Sequence, residues 1–274
     1  MSEKEKPVNE VESIIDNMCL MDDDLMSRVF DENIEATQIL IRNILQTDVE
    51  VVESKGQWDI KNELVDGRGI RLDIFARDSN GDYFDCEVQR RDDGADPRRA
   101  RFNSSMLDTR MLMSSQKPKE LKDSYVIFIT ENDYFDKSDP IYCINRTLES
   151  GEMFNDGSHI IYVNGDYQGD DDIGRLISDM NNRTTKDFNY KELEEGVKHF
   201  KENKEGRKTM CEAVERYAEK KYDSGREDGR LEGRTESKAE DIRALMKNLK
   251  CSAEKAMEYI GIPKSEYSNY MKML

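Results

Sequence analysis

The sequence predicts an α/β domain followed by a charged, all-helical region. Three observations carry this. "SYVIFIT" (124–130) is almost continuously apolar, as a strand buried on both faces must be. Up to about residue 170, such short runs bounded by turn residues alternate with segments of helical spacing. Beyond about 172 only helical spacing remains. The chain has 274 residues, with 36% apolar and 37% charged. That apolar share is low for one compact body, so a real core is expected in only part of the chain. The expected division is a polar N-terminal segment (1–20), a mixed domain (21–185) and a helical C-terminal region (186–274).

The first element is an amphipathic helix over 24–46. Leu25, Val29, Phe30, Ile34, Thr37, Ile41, Ile44 and Leu45 recur three and four apart, with a break near Asp31-Glu32-Asn33. Val49 to Val52 is a short extended piece, and 56–69 reads as polar and glycine-punctuated. Then come strand "RLDIFA", turn "RDSNGD" and strand "YFDCEVQ". Asn80-Gly81 is a hairpin signal because both residues tolerate positive φ. Pro97 suits the first turn of a helix running to about Ser115. Strands follow at 124–130, 140–149 and 158–166. Ile173, Leu176, Ile177 and Met180 mark the next helix.

Strand periodicity puts Leu72, Ile74 and Ala76 on one face, with Asp73 and Phe75 on the other. Tyr83, Asp85, Glu87 and Gln89 share a face of the second strand. Counting out from the turn sets Asp73 across from Val88, between Glu87 and Gln89. A one-residue bulge would set it opposite either. Two carboxylates so close repel, and a hard divalent cation between them is the natural remedy. Mg²⁺ (or Mn²⁺) accepts a few carboxylate oxygens and keeps several waters. The Val88 backbone carbonyl could add a third oxygen to Asp73 and Glu87. Such an ion activates water and stabilises charge on a phosphoryl oxygen. The plainer reading is a solvated polar strand face, to which Asp82 and Asp85 also belong.

The hairpin resembles the core of the PD-(D/E)XK nuclease superfamily, in which an Asp, a hairpin and an Asp/Glu-X-Lys follow in order. It is more closely similar to the PD-(D/E)XK family transposases, or recombination-promoting nucleases, whose last position is commonly Gln. "GRGIRLDIFARD", "EVQRR", "RRARFNSSMLDTRML", "SYVIFIT" and "DPIYCINRTLE" carry the likeness, over roughly 24–165. The resemblance implies a restriction-endonuclease-like core, a mixed central sheet flanked by helices. It implies a metal-dependent DNA endonuclease with Asp73 and Glu87 as metal ligands and Gln89 in the lysine's place, positioning water. It also implies an acid from the first core helix, with Glu35 the choice and Glu32 the second. Lacking the lysine, activity would need a charge from elsewhere, such as Arg90 or Arg71.

The formal charge is −17, which argues against indiscriminate nucleic-acid binding. The distribution is uneven. Residues 1–60 hold 15 acids and 5 bases, whereas 90–110 hold 6 Arg and 4 acids. Arg71, Arg90, Arg91, Arg98, Arg99 and Arg101 therefore form the expected phosphate-contacting set, with local ion pairs as the competing use. A second reading keeps the fold without the chemistry: a catalytically weak or inactive DNA- or protein-binding module.

Five scattered Cys and an acidic N-terminus point to a cytoplasmic protein, and no apolar run approaches a membrane span. Two His leave no basis for Ser-His or Cys-His catalysis. Gly225, Gly229 and Gly233 stand four apart, on one stripe if helical. They would permit a homo-oligomer through the C-terminal helices, with a flexible linker as the alternative. The terminal "SAEKAMEYIGIPKSEYSNYMKML" reads as two short helices with few basic residues.

Overall fold

The computed structural model describes residues 8–62, 66–90 and 92–274. The chain divides into two compact units, Met1–Val214 and Glu215–Leu274. The first opens with α1 (Val8–Asp16), α2 (Asp23–Val29) and α3 (Ile34–Leu45). α1 lies in the segment expected to be polar. Val11 and Ile15, one turn apart, are both buried. The helical pattern over 24–46 resolves into α2 and α3. Glu32 has a φ of 54°, and the Asn33 side chain accepts from the Ala36 N–H at 3.1 Å to start α3.

Among the described residues six strands form one mixed sheet, in the order β1-β2-β3-β4-β6-β5. They are β1 (Val51–Ile60), β2 (Ile70–Asp78), β3 (Tyr83–Gln89), β4 (Ser124–Thr130), β5 (Ile141–Ile144) and β6 (Ser158–Asn164). β1, β2 and β3 pair antiparallel, while β3, β4 and β6 run parallel. β1 is much longer than expected because pairing with β2 stabilises its polar, glycine-bearing middle. Gly56 is needed there. A Cβ at this position would lie 1.8 Å from the Ser27 carbonyl oxygen, since α2 crosses directly over the strand. β5 is shorter than expected, ending at Ile144 with only a Thr147–Met153 bridge beyond it.

Each face of the sheet has its own core. Ile74, Ala76, Phe84, Cys86, Ile127 and Ile129 pack with α1, α2, α3 and two later helices, α5 (Asp172–Asn181) and α6 (Lys191–Glu202). Leu72, Phe75, Val126, Phe128 and Tyr162 pack with α4 (Pro97–Met111). Leu72 thus joins Phe75, not Ile74 as strict alternation requires. The break falls at Asp73, where Gln57 on the neighbouring strand has a φ of 50°.

α4 begins where expected, with Pro97 in its first turn and Asp96 accepting from the Arg98 N–H at 2.7 Å. α7 (Lys204–Leu249) is one continuous helix that includes Gly225, Gly229 and Gly233. The second unit adds α8 (Ala253–Tyr259) and α9 (Tyr267–Met271). Its core is Ala239, Ile242, Ala256, Met257, Ile262 and Tyr270. Among the described residues no helix is long and apolar enough to cross a membrane.

Candidate active site

The site is built by the β2–β3 hairpin and the first turns of α4. The hairpin loop is one residue longer than a two-residue turn. The Asp78 N–H donates to the Asp82 carbonyl at 3.1 Å, and Gly81 has a φ of +90°. The longer loop moves the pairing by one residue. Ile74 pairs with Cys86 and Phe75 with Asp85, so the next residues along are Asp73 and Glu87. The Val88 N–H donates to Asp73 Oδ2 at 3.2 Å. The two acids therefore face each other, with Gln89 one step past Glu87 on the same face.

α4 completes the arrangement from above. Arg99 and Asn103, four apart, project from one stripe of the helix onto β3. Asn103 Nδ2 donates to Asp85 Oδ2 at 2.8 Å and lies 3.4 Å from Glu87 Oε1. Arg99 is ion-paired with Glu87 Oε2. It also donates to Gln89 Oε1 at 3.2 Å and to the Gly94 carbonyl at 3.0 Å.

Asp85 and Glu87 are fully buried. Asp85 therefore does not belong to a solvated strand face: α4 covers it. Its Oδ1 has no hydrogen-bond partner among the described residues.

The electrostatics follow from that burial. Desolvation, then the charges of Glu87 and Asp23, push the Asp73 carboxyl up to about 8. Desolvation also raises Asp85, against the Asn103 hydrogen bond. It lifts Glu87 well above the ordinary range, aided by Asp85 and opposed by Arg99. Three carboxyls and one guanidinium thus share a small, largely dry volume that is short of positive charge. An all-oxygen, electron-rich set of this kind fits a hard divalent cation. Among the described residues no group of three or more acid, histidine or cysteine side chains is placed so that it could hold a metal ion. Two carboxylates with waters filling the remaining positions is the arrangement Mg²⁺ tolerates best.

The other sequence-selected residues fall at various distances from this centre. Glu35 is exposed in the first turn of α3, whose principal neighbours are β1, α5 and α6. The helical acid whose charge reaches Asp73 is Asp23, in the first turn of α2. Arg71 pairs with Asp59 at 3.0 Å, and Arg90 pairs with Asp22 at 2.6 Å and Glu131 at 3.4 Å. Arg98 and Arg101 are exposed, and among the described residues neither pairs with a carboxylate. Arg91 lies outside the described residues. Sequence reasoning missed Asn103 and the burial of Asp85. The available signal was a polar residue one turn beyond Arg99 on a helix that had to cover the sheet.

A family model described as PD-(D/E)XK nuclease family transposase matches residues 25–166. No curated protein and no solved structure matches the chain.

Proposed function

The chain belongs to the PD-(D/E)XK nuclease family of transposases, and from that premise we propose that it is a DNA endonuclease dependent on Mg²⁺ or Mn²⁺. The observation that carries this reading is the facing pair of half-buried Asp73 and buried Glu87, both held above the ordinary carboxylate range beside Gln89 and Arg99. Asp73 and Glu87 would hold the metal, with the Val88 carbonyl as a further oxygen. A metal so held supplies activated water and charge stabilisation at the phosphoryl oxygen.

The chain's own residues do the remaining work. Gln89, whose Nε2 donates to Glu87 Oε2 at 3.2 Å, orients that carboxylate and can hydrogen-bond the attacking water. Exposed Arg98 and Arg101 at the head of α4 reach toward phosphates. Arg71 and Arg90 are each held by carboxylates and serve first to position their strands. Asp23 takes the part expected of Glu35, an acid from the helical layer acting on Asp73.

Purified protein is expected to nick supercoiled plasmid with Mg²⁺ or Mn²⁺, and Asp73→Ala is expected to abolish the nicking. Equal cleavage by the variant would sink the assignment.

A second reading, a DNA- or protein-binding module without cleavage, draws on one observation. Arg99 already occupies a Glu87 oxygen that a metal would use. Calorimetry separates the two readings. The binding module predicts no heat of divalent-cation binding at the hairpin, whereas the nuclease predicts binding that Asp73→Ala removes.

A further inference from the structure

Gln89 stands where the superfamily motif carries a lysine, and a cation sits against it. Arg99 reaches this position from the first turn of α4, twelve residues after Glu87 in the chain. Its guanidinium carbon lies 5.9 Å from the centroid of the buried Phe128 ring, so an aromatic floor supports the planar group. One terminal nitrogen bridges Gln89 Oε1 and the Gly94 carbonyl, and the other pairs with Glu87. Arginine carries more N–H donors than these three contacts use. The side chain is 37% exposed, so the unused donors can face an incoming phosphate.

Gln89 is clamped in turn. Its carbonyl oxygen accepts from Arg99 while its Nε2 donates to Glu87. Gly94 leaves the room this needs: a Cβ there would lie 1.9 Å from Gln89 Oε1. An amide serves at this position because it can accept from one group and donate to the other. A lysine ammonium can only donate, and beside Arg99 it would add like-charge repulsion.

We propose that Arg99 supplies the positive charge of the site in the lysine's stead, with Gln89 as the positioning residue that holds it. The proposal rests on the nuclease reading of the same site. Arg99 has two opposed effects on this account. It stabilises negative charge on the phosphoryl group in the transition state, and it repels a divalent cation approaching Glu87.

The test compares wild type, Arg99→Met, Arg99→Lys and the double variant Gln89→Lys/Arg99→Met. Mn²⁺ affinity is measured by calorimetry and plasmid cleavage by single-turnover rate, with circular dichroism to confirm folding. Arg99→Met should lower the cleavage rate by about 100-fold, as loss of one transition-state donor does. The same variant should bind Mn²⁺ several-fold more tightly. Arg99→Lys should retain part of the rate, and the double variant should recover most of it by returning the charge through position 89. Wild type that cuts, with Arg99→Met cutting equally well, overturns the Arg99 proposal alone. Mn²⁺ affinity that falls together with the rate in Arg99→Met and is not recovered in the double variant also overturns it, reducing Arg99 to structural support. Wild type that binds Mn²⁺ and never cuts overturns the nuclease reading and the Arg99 role together.

Discussion

Asp73 is a carboxyl that the fold makes reluctant to ionise. Its ordinary value is 3.8 and its site moves it up to about 8, burial being the largest cause. Between those values the folded chain keeps a proton that the unfolded chain releases. The associated stability is therefore full below about pH 4 and is lost as pH rises through about 8. Two outcomes follow for thermal unfolding without metal. Wild-type Tm should fall as pH rises from about 5 to about 8.5, and Asp73→Asn should flatten that fall. The variant should melt higher than wild type at about pH 8 and show no advantage at about pH 4. Added Mg²⁺ should raise the wild-type Tm chiefly at the alkaline end and leave Asp73→Asn unmoved. Parallel profiles for the two proteins would show that Asp73 is not the titrating group. The same residue shows what the sequence could and could not reveal. Strand alternation brought Asp73, Glu87 and Gln89 to one neighbourhood. It could not say that Asp85 beside them is sealed under α4, because burial depends on what packs above a strand.

At the scale of elements, the hairpin and its two covering helices decide the site. The residues of the turn were legible, since Asn80-Gly81 tolerates the backbone that a tight loop needs. The loop length was not, and that single residue determines whether Asp73 faces Val88 or Glu87. β1 was underestimated for a related reason. Gly56 has poor strand propensity and Gln57 takes a positive φ, and only pairing with β2 carries the strand through them. Gly56 also lets α2, which carries Asp23 in its first turn, approach the sheet closely. Gly56→Ala should therefore cost about 2–3 kcal/mol in urea unfolding, as overpacking against backbone does. It should also weaken Mn²⁺ binding by displacing α2. Wild-type stability in this variant would mean that α2 does not sit as tightly on β1 as the structure places it.

At the scale of the whole molecule, the nuclease reading requires a chain of net charge −17 to meet DNA through a local basic face. Arg98 and Arg101, exposed at the head of α4, are the residues best placed to do so. In the cleavage-deficient Asp73→Ala background, DNA affinity measured by fluorescence anisotropy should fall steeply with salt. Replacing Arg98 or Arg101 by Ala should reduce the slope of log K against log salt by about 1 each, with little dependence on DNA sequence. An unchanged slope in both variants would remove α4 from the DNA-binding face. The two compact units divide the labour differently. The candidate site lies wholly within Met1–Val214, while Glu215–Leu274 is a small helical unit with its own core.

The sequence by itself determined the order of elements from the hairpin through β6, the acids of the hairpin and the family to which they belong. Those follow from residue type, period and spacing along one chain. Only the tertiary structure decided that Asp73 faces Glu87, that Asp85 and Asn103 are buried beside them, and that Arg99 lies against Gln89. Each of these is a meeting between separate elements. Such meetings depend on loop length, on the close approach a glycine permits and on which helix covers which strand, and no local periodicity records them.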